Sequence, residues 1–345
     1  MNHGADQIKN QNQEEFYIDT FQPQDAEAIV SLCRAVYGDQ YPIRIFYDPK
    51  AIIQVNALGK YYSIVARTVS GRVIGVTHLF QSAPCPLVYE LGVGMVLMEY
   101  RKTGAISRLF EYAFNDFIPR MENIEASFGE AVCNHVFTQK AILRSRHVIT
   151  ALEIALMPAE AYGKEKSATG RVAGLNGFRC YKTRPHRVHL PAPYEPDLSW
   201  IYSRLDDSRE IVISEDMAPS GLSSRIGMEM FDFARVARIA VYEVGEDFSA
   251  AFHHIEAEAI AKKAVVLQVW LNLAIPRVGS AVNILREHGY FLGGLLPRWF
   301  DTDGLLMQKL LCSPNFDSIV LDADVSKDLL KIIQKDWERA QAFQS

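Results

Sequence analysis

The chain has 345 residues, 49% of them apolar and 22% charged, and a formal net charge of -5. This balance excludes a disordered chain and predicts roughly two domains, because the length exceeds what one hydrophobic core normally serves. Scattered Lys and Arg exclude the electrostatic footprint of a nucleic-acid binder, and no run approaches the roughly eighteen apolar residues of a membrane span.

Residues 1–15 are polar and rich in Asn and Gln, lack the apolar stretch of a signal peptide, and are expected to form a floppy tail on a cytoplasmic protein. Residues 16–21 alternate like a short strand. Ala26, Ile29, Val30 and Cys33 then recur at helical spacing over 22–37. Asp48-Pro49 opens a second helix that runs to Gly59, with Asp as cap and Pro in the first turn. Residues 61–68 and 72–80 form an expected antiparallel hairpin around Val69-Ser70-Gly71. A strand over 87–97 carries Gly92 and Gly94, which mark a bulge or a close backbone approach. It leads into a helix with Ile106, Leu109, Phe110, Ala113 and Phe117 on one face.

A strand over 126–132, a helix over 137–144 and a strand over 148–156 follow, ended by Met157-Pro158. Residues 159–170 read as a mobile loop and 171–190 as two strands, and the Pro-rich stretch 191–196 is the expected domain boundary. Beyond it the pattern gives a helix over 197–205 and strands over 210–214, 227–233 and 238–244. A helix over 248–263, a strand over 265–271, a helix over 278–288, strands over 290–296 and 305–311, and a closing amphipathic helix over 324–343 complete the chain.

The five cysteines, Cys33, Cys85, Cys133, Cys180 and Cys312, are odd in number and never form a CxxC pair, so neither a disulfide framework nor a zinc site is expected. His254 and Glu258 share a helix face, but two ligands without a third leave a solvated surface as the better reading. There is also an internal echo. Val132-Cys133-Asn134, Ile142-Leu143-Arg144 and a strand from Val148 are matched in order by Trp270-Leu271-Asn272, Ile284-Leu285-Arg286 and a strand from Tyr290. A duplicated unit and chance similarity are both open on so few positions.

Leu91 to Leu109 reads Leu-Gly-Val-Gly-Met-Val-Leu-Met-Glu-Tyr-Arg-Lys-Thr-Gly-Ala-Ile-Ser-Arg-Leu. This strand, turn and helix resembles the segment that holds the CoA diphosphate in GNAT N-acetyltransferases. A helix amino terminus offers unpaired N–H groups and the positive end of a dipole, which suits a phosphate cradle. Arg101, Lys102, Thr103, Gly104, Ala105 and Ile106 follow the family's Arg/Gln-x-x-Gly-x-Gly/Ala except at Ile106, whose bulk either blocks the phosphate or faces inward. The resemblance implies an α/β (α+β) fold of tandem GNAT-like domains, each a mixed, mostly antiparallel sheet flanked by helices. The first would span 16–190 and bind acyl-CoA; the second, 197–345, is a degenerate copy, because Glu246 and Asp247 stand where phosphate would sit.

By the same resemblance, Met95, Val96 and Leu97 would pair with the pantetheine arm of acetyl-CoA or another acyl-CoA. Glu90 would be the general base that deprotonates an amine, with a surface or salt-bridged strand residue as the plain alternative. Asn134 would contact pantetheine or simply form a turn. The family's Tyr acid is missing, since Arg144 and Arg286 stand in the matching places, and Tyr181 is the substitute. Trp299, Phe300, Asp301 and Asp303 either wall a cationic-amine pocket or cap the core. The implied activity is transfer of an acyl group from acyl-CoA to an amine of a small molecule or protein, without a metal, nucleic-acid or membrane partner. A homodimer is left open, and the alternative is a non-catalytic acyl-CoA sensor or scaffold.

Overall fold

The structure is a computed structural model and describes residues 14–39, 41, 43–162, 170–215 and 221–342. It is a mixed α/β fold whose contacts separate two compact units: residues up to Phe80 with Gly92–Phe117, and Gln81–Leu91 with Ile118 onward. The Pro-rich stretch expected as the domain boundary lies inside the larger unit, where it becomes a 3-10 turn, Ala192–Tyr194, leading into a helix. Among the described residues no helix is long and apolar enough to cross a membrane.

The smaller unit holds β1 (Phe16–Thr20), α1 (Ala26–Tyr37), α2 (Pro49–Ala57), β2 (Tyr61–Thr68), β3 (Val73–Phe80), the part of β4 (Val88–Val96) from Gly92, and α3 (Ala105–Tyr112). Its strands lie in the order β1-β2-β3-β4. The Asp48 side chain accepts from the Lys50 amide and caps α2, as its sequence suggests. Arg67 clamps Asp25 through two bonds of 2.7 and 2.9 Å, tying β2 to the turn before α1. Most of the expected tail, residues 1–13, falls outside the described residues. Its last part is held: the Glu14 carboxylate accepts from the Ser70 hydroxyl at 2.7 Å, and the Val69 amide donates to the Glu15 carbonyl.

The larger unit contains β5 (Ala126–Val132), α4 (Phe137–Arg144), β6 (Val148–Pro158), β7 (Arg171–Cys180), β8 (His186–Leu190), α5 (Glu195–Tyr202), β9 (Arg209–Ile213), β10 (Arg225–Phe231), β11 (Val236–Glu243), α6 (Phe248–Ala261), β12 (Val266–Asn272), α7 (Val278–Glu287), β13 (Phe291–Leu296), β14 (Gly304–Leu310) and α8 (Asp324–Ala342). The expected strand and helix positions are met within a few residues. Of the loop expected over 159–170, residues 163–169 lie outside the described residues, and Ala159–Tyr162 is a 3-10 turn. The helix expected to continue through Phe117 widens into a π turn at Ala113–Phe117.

From the first residues of β4 the sheet of the larger unit runs β4-β5-β7-β6-β13-β14-β12-β11-β10, with β8 and β9 as a separate parallel pair. Read outward from the β6/β13 junction, the two arms match: β7 with β14, β5 with β12, β4 with β11. In each arm the strand outside the crossover is the parallel one, β4 on β5 and β11 on β12, while the other pairings are antiparallel. That correspondence gives the sequence echo a structural counterpart. The arms meet at Gly294 against Ala151, and only glycine fits there: its φ is +124°, and an added Cβ would lie 2.3 Å from the Thr150 carbonyl oxygen. Leu152, Ile154, Phe252, Val269, Leu285, Leu292 and Leu329 are among the buried residues of the continuous core that covers the junction.

Candidate active site

On β4 and β5, Glu90 and Phe128 are register partners, and Phe128 in turn faces Phe178 on β7 while Glu130 faces Asn176. Period-two alternation therefore puts Glu90, Phe128, Glu130, Asn176 and Phe178 on one face of the sheet. Glu153 from β6, Arg238 from β11, Trp270 from β12, Trp299 and Ser82 complete the wall of a small cavity, with about 10 Å³ for the centres of water-sized molecules. Its floor is aromatic. Trp299 meets Phe128 and Trp270 edge-on at centroid distances of 5.2 and 5.0 Å.

Three carboxyls crowd this space with one guanidinium. Ser82 donates to Glu90 Oε2 at 2.8 Å, and the closest Arg238 nitrogen stands 3.9 Å from Glu130 Oε2. Burial first, then the Glu130 charge, pushes the Glu90 carboxyl up to about 7, while the Ser82 bond and Arg238 pull the other way. Glu153 is held well above the usual carboxylate range, also by burial and then by Glu130. Burial opposes the Arg238 charge, but the three glutamates outweigh it and raise its pKa. Glu153 Oε2 and both indole N–H groups, of Trp270 and Trp299, are buried without a hydrogen-bond partner among the described residues.

The other residues singled out from the sequence divide. Tyr181 is not brought to Glu90: its hydroxyl lies 3.2 Å from Ser127 Oγ, and Ser127 sits on the opposite face of β5 from Phe128. Burial also lifts the Tyr181 hydroxyl to about 12, so it gives up its proton poorly. Asn134 is a half-buried residue in the turn after β5 and does not line the cavity. The acids expected to wall an amine pocket are elsewhere engaged. Asp303 is buried and accepts from Arg209 Nε at 2.5 Å and from the Arg298 amide at 2.9 Å, and Asp301 pairs with Arg184. Trp299 does line the cavity. Glu130 and Glu153, which do supply its acid, have no local sequence signature and become visible only once strand pairing is known.

The turn after β4 belongs to the smaller unit. Val93 has a φ of 52°, a strained value for a β-branched residue, and it marks the irregularity that the neighbouring glycines suggest. At the other end of the turn, Gly104 adopts φ +80° as the cap of α3. The amides of Arg101 and Thr103 donate to Met98 and Tyr100. Those of Lys102, Gly104, Ala105 and Ile106 have no acceptor among the described residues; Lys102 and Gly104 are exposed, Ile106 is half-buried and Ala105 is buried. Ile106 faces inward: a Cβ on Gly94 would come within 2.7 Å of Ile106 Cδ1, so the glycine makes room for that side chain. Its bulk therefore does not fill the mouth of the turn. Of the three residues expected to face a pantetheine arm, Leu97 has both backbone groups engaged, its amide with Ile74 and its carbonyl with Tyr100. Met95 and Val96 are buried on β4.

The corresponding turn of the second arm is closed. Glu246 Oε2 accepts from the Gly221 amide, Asp247 Oδ1 accepts from the Ser224 amide at 2.7 Å, and the Gly245 and Glu246 amides donate to Ser224 Oγ and the Leu222 carbonyl. β11 also stays zipped to β12 over six register pairs, from Val236 to Val241, whereas the β4–β5 ladder ends at Glu90.

No family model matches this sequence, and no curated protein matches it. The chain is similar in fold to solved GNAT acetyltransferases over about half its length. A ribosomal-protein-S5-alanine acetyltransferase from Vibrio fischeri aligns with 49% of this chain and 95% of its own at 11% identity and a TM-score of 0.39. A putative acetyltransferase from Acinetobacter baylyi aligns with 49% and 94% at 12% identity and a TM-score of 0.40. A putative acetyltransferase from Salmonella typhimurium, solved with acetyl-CoA, aligns with 49% and 96% at 12% identity and a TM-score of 0.40.

Proposed function

We propose that the protein transfers an acetyl or other acyl group from acyl-CoA to a small polar amine, with Glu90 as the general base. The observation that carries this reading is the place of Glu90 in the wall of an acid-lined aromatic cavity, where burial and the Glu130 charge push its carboxyl up to about 7. An amine nucleophile is protonated at neutral pH and must lose that proton to attack, and a base with a pKa near the working pH does this best. In the reaction the ammonium proton passes to Glu90, the freed amine nitrogen bonds to the thioester carbonyl carbon, the C–S bond breaks, and the second N–H proton leaves to solvent as the amide forms. The leaving thiolate takes a proton from solvent, since Tyr181 stands on the other sheet face. The Glu130 charge and the aromatic rings would hold a cationic amine before it is deprotonated, against the Arg238 charge in the same wall.

The turn at 101–106 is the proposed diphosphate site, through the amides of Lys102, Gly104 and Ile106, with Met95 and Val96 as the proposed strand contacts of the pantetheine. We assign the second arm no acyl-CoA, because its turn is filled by its own 221–224 segment. A non-catalytic acyl-CoA sensor is the second reading, favoured by the lack of a side-chain acid for the thiolate.

Calorimetric titration of acetyl-CoA into the full chain tests the proposal. One site is expected, weakened about tenfold or more by Gly104→Val, because a β-branched residue cannot hold φ +80° without rebuilding the turn. Thiol release is then measured over a panel of small amines. No binding removes both readings, and binding without thiol release from any amine leaves the sensor.

A further inference from the structure

We propose that His253, Glu256 and His288 form a divalent-metal site on the larger unit, with zinc the ion whose ligand preferences it fits. It is independent of the acyl-transfer reading and uses none of the residues around Glu90. The three residues each offer a ligand atom, and these atoms all lie within 4.8 Å of one another. His253 and Glu256 stand three apart on α6 and so share a face of it. His288 follows directly on α7, and its ring lies 6.4 Å from that of His253.

Glu256 is anchored for the task. Its Oε1 accepts from the Tyr290 hydroxyl at 3.0 Å and from Lys309 Nζ at 2.9 Å, and this fixes the carboxylate plane and leaves Oε2 facing His288 Nδ1 at 3.8 Å. Partners that orient a ligand from behind are a regular part of metal sites. Two imidazole nitrogens and one carboxylate oxygen are the donor set of an open zinc site, with bonds of about 2.0–2.2 Å, and a solvent ligand takes the fourth position. Tetrahedral ligand atoms then stand roughly 3.3 Å apart. The needed contraction is small, and the exposed His253 side chain can swing to supply most of it. Lys309 is the opposing term: its charge beside Glu256 lowers the affinity, so this is a moderate site rather than one the fold depends on.

Cysteine spacing gives no hint of this trio, and the pair that the sequence suggests, His254 and Glu258, is different. Glu258 is bound to Lys262 at 2.6 Å instead. His254 is exposed on the same helix and therefore serves as an internal control. Zn2+ is titrated into chelator-treated full-length protein, with isothermal calorimetry and the shift in melting temperature as readouts. One equivalent is expected to bind and to raise the melting temperature, since an ion that binds only the folded chain stabilises it. His253→Ala and His288→Ala should each weaken binding about tenfold or more, and His254→Ala should change it less than twofold. The proposal is overturned if no equivalent binds above the chelator background. It is overturned as well if both variants keep the parent affinity, or if His254→Ala loses as much as they do.

Discussion

Glu90→Gln is expected to lower the rate of acyl transfer about 10²–10⁴-fold while leaving acetyl-CoA affinity within about twofold, because it removes the proposed base and none of the amides proposed to hold the diphosphate. For the parent protein, kcat/KM should rise as pH increases through about 7, where the Glu90 carboxyl loses its proton, and flatten above it. The variant's residual rate should lack that limb. Stability should move the opposite way from activity. A carboxyl whose folded pKa is raised binds its proton more tightly folded than unfolded, so it destabilises the fold progressively as pH climbs from the usual carboxylate range to about 7. At pH 8 the Gln variant should therefore melt at or above the parent temperature. A parent pH profile without the rise near 7, or a variant as active as the parent, would falsify the assignment of Glu90.

The legibility of these residues in the sequence follows the range of the interactions that place each of them. Glu90 can be found from the sequence because its distance from Arg101 along one strand is a local quantity. The open amides at 102 and 104–106 are equally local, since they follow from a glycine at a helix start. Glu130 and Glu153 are not legible, because each reaches the cavity through strand neighbours, β7 and then β6, whose order is not the chain order. The residues that the structure does not bring to the cavity are placed elsewhere for related reasons. Tyr181 lies just past a strand whose parity puts it with Ser127, and one residue's difference in register moves a side chain to the other face. Asp303 looks like a surface acid in a loop, yet it is buried as the counter-ion of Arg209, brought from far along the chain, while Asp301 is exposed and pairs with Arg184.

The fold shows the same division. Helix and strand positions are read from apolar periodicity, and most fall within a few residues of the structure. The echo between the 126–156 and 265–296 regions is faint in sequence because few residues are shared. In three dimensions it is carried by strand order and by the placement of one parallel pair in each arm. What the pattern does not give is where compact units part, since β4 is continuous while its residues are divided between two of them at Leu91/Gly92.

Asp303→Asn should destabilise the larger unit by about 3–5 kcal/mol, a large share of the roughly 5–15 kcal/mol that holds a typical domain together. Asp303 is fully buried, and its oxygens take Arg209 Nε at 2.5 Å, Arg209 NH2 at 3.3 Å and the Arg298 amide at 2.9 Å, with His186 Nε2 at 3.4 Å. Arg298 is itself 1% exposed and donates to Asp207 and to the Arg184 carbonyl. The amide variant keeps the shape but leaves the Arg209 guanidinium buried beside a neutral group. Here the linkage has the sign opposite to Glu90. Burial alone would raise the Asp303 carboxyl, but the contact with His186 and the Arg209 charge and hydrogen bonds outweigh it and hold the group well below the usual carboxylate range. The stability it contributes is therefore fully present above that range and is lost as pH falls through it toward the depressed folded value. Denaturant midpoints measured from pH 5 down to about pH 2 should fall more steeply for the parent than for Asp303→Asn once the pH drops below about 4, so that the gap between the two curves narrows in acid. Parallel curves would mean that the charge of Asp303 does not hold the loop carrying Trp299 to the cavity.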